Sequence, residues 1–142
     1  MKNISLRAAS VLQIISGGVH GISLFGPMQP QNDTEKQMLE LVYGYHMDAG
    51  AGFHPTLGDF FLALSSCFTL MYLMAGITNF FLLRQSLTIT TWKGLLIIQI
   101  IFFGIAFVMM FAFTFLPPVI LTGLTFLLLI ISYITTTEPA NS

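Results

Sequence analysis

The run "GLLIIQIIFFGIAFVMMFAFTF", Gly94 to Phe115, contains no charged residue, and Gln99 is its only large polar side chain. A helix needs roughly 20 mostly apolar residues to cross about 30 Å of hydrocarbon, and this run meets that length. Composition extends the constraint to the whole chain. Hydrophobic residues make up 55% and charged residues 8%, and the mean hydropathy is +0.83. A water-soluble domain carries about 25% charged residues because its surface must be wetted. Five basic and six acidic side chains cannot wet the outside of 142 residues. Lipid is therefore the solvent for most of the surface. The length suits a single domain. The net charge of −1 leaves no basic footprint for nucleic acid.

Four apolar segments are expected to span, over about residues 4–25, 57–83, 93–116 and 118–136, with an external loop over 27–56. The expected fold is all-α, an antiparallel four-helix transmembrane bundle forming one membrane domain over residues 1–142. Lys2 precedes the first segment and Arg7 lies at its start, and Arg84 and Lys93 bracket the second connection. The loop between segments one and two has only Lys36, among Asp33, Glu35, Glu40 and Asp48. Excess Lys and Arg marks the cytoplasmic side, which places both termini in the cytoplasm of a multi-pass protein of the cell (inner) membrane. Trp92 beside Lys93 fits an interfacial anchor. A competing reading makes the first segment a signal peptide cleaved near "ISGG". In "FLPPV", Pro117 and Pro118 end the third segment and suit the first turn of the fourth, which predicts a tight hairpin.

The long loop has its own pattern. Asn32, Asp33 and Thr34 are good N-caps, and Thr34 to Gln37 has capping-box spacing. Met38, Leu41, Val42 and Tyr45 follow at helical spacing. They predict a short external amphipathic helix that lies on the interface or lids the bundle.

Polar residues inside the apolar segments form stripes. In the first, Gln13, Ser16, His20 and Ser23 are spaced three, four and three apart. In the second, Ser65, Thr69, Tyr72, Gly76 and Asn79 alternate four and three, and Thr122, Thr125, Ser132 and Thr136 fit the same repeat in the fourth. That periodicity is the seam of a packed helix pair. The third segment has only Gln99 and reads as the most lipid-exposed. Gly17, Gly21 and Gly76 are candidate packing positions where small residues let backbones approach. The candidate polar interior is thus Gln13, Ser16, His20, Ser65, Thr69, Tyr72, Asn79, Gln99, Thr122 and Thr125. It is either a dry packed seam or a cavity that takes a small lipophilic ligand.

The titratable groups give few routes to chemistry. His46, Asp48, His54 and Asp59 could form an external metal cluster, but no pair has a recognised ligand spacing. His20 could relay a proton, bond a quinone or ligate haem, or simply bond a hydroxyl such as Ser65 or Thr122. No other histidine lies in an apolar segment, which excludes haem held between two such segments. Cys67 is the single cysteine, so neither an internal disulfide nor a C-x-x-C centre can form. No acidic residue lies mid-segment, and there is no phosphate loop, G-x-S-x-G or H-E-x-x-H. No catalytic apparatus and no cofactor are implied.

Arg7 leading into a Gly-rich segment, the glycine-bearing "YLMAGITNFFLLR" and four short apolar segments resemble small bacterial DoxX-like membrane proteins. The resemblance covers the chain at the level of architecture. It implies the four-helix fold and a distant link to quinone-linked redox subunits, and it transfers no functional residue. His20 and the long first loop depart from that family's pattern. The expected function is a non-enzymatic binding or accessory subunit with a polar intrabundle cavity. The alternatives are a quinone-linked redox subunit using His20 and a small-solute transporter. The expected partners are the lipid bilayer, a membrane protein or second copy, and a small lipophilic ligand.

Overall fold

The computed structural model describes residues 4–26 and 28–136; Lys2, used above to orient the chain, lies outside them. Five helices follow one another: α1 (Ile4–Ser23), α2 (Asp33–Gly44), α3 (Leu57–Leu82), α4 (Ile89–Phe113) and α5 (Leu116–Thr135). Among the described residues three of them, α3, α4 and α5, are long and apolar enough to cross a membrane. The chain is a multi-spanning, all-α membrane protein.

The expected four-helix transmembrane bundle is corrected: of the five helices among the described residues three can span, and α1 is not one of them. Its length is sufficient, but Arg7, Gln13, His20 and interspersed serines and glycines dilute its hydropathy. The four-span count behind two cytoplasmic termini goes with it.

Residues 4–16 and 72–136 form one compact unit, and Gly17–Met71 form another. The first unit contains α4, α5, the start of α1 and most of the second half of α3. Thr88 caps α4 by accepting a hydrogen bond from the Thr91 amide at 3.2 Å, so the helix begins four residues before Lys93. Thr114 and Phe115 alone separate α4 from α5, and the two prolines sit in the first turn of α5 without breaking it.

α4 and α5 pack by a reciprocal exchange. Each carries a glycine followed three residues later by phenylalanine: Gly104 and Phe107 in α4, Gly123 and Phe126 in α5. A Cβ at Gly104 would lie 3.0 Å from the Phe126 ring, and one at Gly123 would lie 2.9 Å from the Phe107 ring. The two rings stack at 6.3 Å. Small residues here admit flat rings where packing must replace the hydrophobic effect. At the far end of the pair, Lys93 Nζ lies 5.4 Å from the centre of the Tyr133 ring, within cation–π range. Outside this seam α4 presents Ile98, Ile101, Phe102, Ile105 and Val108, each more than half exposed. Such a surface suits a membrane environment.

The second unit holds the end of α1, all of α2, the first half of α3 and the connection between the last two. Asn32 caps α2, accepting from the Glu35 amide at 2.9 Å, and the Glu35 carboxylate accepts from the Gln31 amide. The helix cap is therefore Asn32, two residues before Thr34, and Glu35 ties back to the residue ahead of it. Residues 46–56 form a small hairpin, closed by a bridge between His46 and Thr56 and by Met47 N donating to Pro55 O at 2.9 Å. Its tip has positive φ at Gly50 and Gly52, a conformation glycine adopts without steric cost.

Candidate functional site

Three carboxamides meet inside the first unit, one from each of α1, α3 and α4. Asn79 Nδ2 donates to Gln13 Oε1 at 3.0 Å and to Gln99 Oε1 at 2.9 Å. Gln99 Nε2 returns a bond to Asn79 Oδ1 at 2.6 Å, and Gln13 Nε2 reaches Gln99 Oε1 at 3.4 Å. Gln13 and Asn79 are buried and Gln99 is half-buried. Gln99 is thus turned inward, although α4 has no polar stripe of its own. Four of the six amide N–H groups are used within the cluster, which ties α1, α3 and α4 together.

The hydroxyls of this unit mostly turn to their own helices. Thr122 donates to Pro118 O at 2.7 Å, Thr125 to Leu121 O at 2.8 Å and Ser10 to Leu6 O at 2.6 Å. Such back-bonding satisfies a hydroxyl without any cross-helix partner. Ser16 and Ser132 are buried with no hydroxyl partner among the described residues. Tyr72 is fully buried, edge-on to Phe103 at 5.1 Å. At Gly76 a Cβ would lie 2.8 Å from the Ser10 carbonyl oxygen, so the glycine sets how closely α1 and α3 approach. Gln13, Ser16, Tyr72, Asn79, Thr122, Thr125 and Ser132 are thus buried within this unit.

The second unit contains a cleft of about 880 Å³ walled by the end of α1, the inner face of α2 and the first turns of α3. Leu24, Leu39, Phe61 and Leu62 give it apolar walls, while His20, Ser65 and Ser23 bring polar groups into it. Lys36 and Glu40 lie one helical turn apart on α2 at its edge. Clefts of this size with a few converging polar groups are the usual form of small-molecule sites. Tyr43 forms part of the wall, its ring packed directly on the Cα of Gly58, where a Cβ would collide with it. Its hydroxyl reaches Met28 Sδ at 3.5 Å.

His20 lies half-buried at this cleft, with its ring edge-on to Phe68 at 5.1 Å. The ring has no hydrogen-bond partner among the described residues, whereas its backbone carbonyl accepts from Ser23 Oγ at 2.7 Å. An aromatic edge, not a hydroxyl, is its neighbour. On the next turn a Cβ at Gly21 would lie 3.0 Å from Thr69 Cγ2, so Gly21 serves close packing of α1 on α3. Gly17 is buried.

The four external candidates do not converge, and no group of three or more metal-ligating side chains exists among the described residues. His46 Nδ1 is 2.7 Å from the His54 carbonyl oxygen. Asp48 accepts from the Gly50 amide at 2.9 Å and holds the hairpin turn. Asp59 accepts from both the amide and the hydroxyl of Thr56 at 2.8 Å, and Thr56 Oγ1 accepts from the Asp59 amide at 3.1 Å. That reciprocal pair is the capping box that starts α3, and it occupies the carboxylate.

Sequence reasoning reached His20, Ser23 and Ser65 but not the α2 wall or Gly58. The available signal was the spacing of Lys36, Leu39, Glu40 and Tyr43, which places all four on one side of a helix. No family model matches the chain, and no curated protein or solved structure is similar enough to assign a family.

Proposed function

We propose that this protein is a membrane-embedded binding module, without catalysis of its own, whose cleft holds a small lipophilic molecule bearing a polar end. The single observation that carries the reading is the contrast in polar groups. The amides near Asn79 are spent on one another, whereas the His20 ring faces the 880 Å³ cleft with no partner among the described residues. The apolar walls suit a hydrocarbon body, and His20 with Ser65 suits a hydroxyl or carbonyl at its end.

A photoactivatable fatty alcohol in lipid nanodiscs tests this. Saturable labelling is expected on α2 around Leu39 and Tyr43, competed by unlabelled alcohol and lost in Leu62→Trp, which fills the cleft. Labelling confined to the lipid-facing side of α4, or unchanged by Leu62→Trp, overturns the reading.

The basic residues supply an orientation for the same proposal. Arg84 lies in the α3–α4 connection and Lys93 in the first turns of α4, which favours a cytoplasmic connection in a cell (inner) membrane. α5 then ends on that side as well. A reporter inserted after Arg84 is expected to be active only as a cytoplasmic fusion; an external signal there reverses the orientation.

A further inference from the structure

We infer that the outward face of α2 docks on the lipid surface, at the boundary between head groups and acyl chains. The helix has two distinct sides. Lys36, Leu39, Glu40 and Tyr43 line the cleft, while Met38 and Leu41, with Tyr45 at the C-cap, lie on the opposite side at helical spacing. These three are 54%, 67% and 65% exposed, and no residue of α2 is buried. Three large side chains aligned on a twelve-residue helix are not scattered surface hydrophobics.

What covers them follows from how α2 is tied to α3. The His46–Thr56 bridge holds the residue after the α2 C-cap against the residue before α3. The Tyr43 ring on Gly58 packs the last turn of α2 on the first turn of α3. α3 is long and apolar enough to span, and its first turns present exposed Phe60 and Leu64 on the side away from the cleft. Those side chains begin the lipid-facing surface, and α2 is fastened at its edge. Its outward stripe therefore continues that surface into the interface, where an amphipathic helix sits with its apolar face about 5–10 Å deep. Exposed Phe53 near the hairpin tip adds an aromatic of the kind that such interfaces hold. The helix carries Asp33, Glu35 and Glu40 against Lys36, so attraction to anionic lipid does not drive the docking; apolar area does. The inference is independent of whether the cleft binds a ligand.

Single-tryptophan variants of the full chain in liposomes test it. Trp92→Phe removes the only native tryptophan. Leu41→Trp and Tyr45→Trp then report the outward stripe, and Asp33→Trp reports the polar side of the same helix. Lipids brominated on the upper acyl carbons are expected to quench Leu41→Trp about twofold or more over Asp33→Trp, with aqueous iodide showing the reverse order. Tyr45→Trp, a milder aromatic exchange, should follow Leu41→Trp and guards against a misfolded first variant. Iodide quenching equal at all three positions overturns the inference, because the stripe is then wet. Shielding from both iodide and bromolipid also overturns it, because another protein then covers the face.

Discussion

Gly76→Ala is expected to destabilise the first unit by about 1–3 kcal/mol, and Gly76→Leu to prevent its packing altogether. The added Cβ meets Ile14 Cγ1 at 2.7 Å, the Ser10 carbonyl oxygen at 2.8 Å and Gln13 Cβ at 3.2 Å. A side chain could rotate away, but a helix carbonyl moves only if α1 moves. Moving α1 also shifts Gln13, which hydrogen-bonds Asn79 one turn along from Gly76. Gly94→Ala is the control. Nothing lies within 4 Å of a Cβ there, so the change is expected to be neutral or slightly stabilising through helix propensity. Thermal unfolding in detergent, followed by circular dichroism, separates the two. Equal melting temperatures for Gly76→Ala and Gly94→Ala would contradict the close approach.

The second large effect is expected at Asn79. Replacing it by leucine, which has the same branching but bulkier methyl groups, removes three hydrogen bonds and leaves only the 3.4 Å contact between Gln13 and Gln99. Interhelical hydrogen bonds in membrane proteins average about 0.6 kcal/mol each, which makes the loss about 2 kcal/mol. The more discriminating result is non-additivity. A triple Gln13→Leu, Asn79→Leu, Gln99→Leu variant is expected to lose less stability than Asn79→Leu alone, because it leaves no stranded amide in the interior. Additive losses across the three positions would mean that the amides act separately.

The parts of this architecture that were legible in the sequence depend on neighbours along one helix. The spacing of Thr122, Thr125, Leu129, Ser132 and Thr136 names the face that α5 buries, and the uncharged run in α4 names a spanning helix. Gln99 shows where such reasoning stops. One polar residue among apolar ones defines no stripe, and its partners lie 20 and 86 residues away. The Gly104–Phe126 and Gly123–Phe107 contacts are hidden for the same reason, since a glycine in an apolar run does not announce which ring will cover it. Asp59 was misleading in another way. Its spacing from Thr56 is a capping signature, but near His46, Asp48 and His54 it resembled a metal ligand. The first segment misled through length. Ile4–Ser23 is long enough to span, but its polar residues lower its hydropathy below that of the three spanning helices.

On the proposed function, the polar residues near Asn79 are packed and space for a ligand lies in the cleft beside His20. Cysteine accessibility tests it directly, with the lone exposed Cys67 first removed as Cys67→Ser. Ser65→Cys places a thiol in the cleft, and Thr125→Cys places one in the packed interior. In native, detergent-solubilised protein, a water-soluble thiol reagent is expected to modify Ser65→Cys and to be blocked there by the fatty alcohol. Thr125→Cys is expected to stay unmodified until the protein is unfolded. Rapid modification of Thr125→Cys in the folded protein, or an inert Ser65→Cys, would contradict the account.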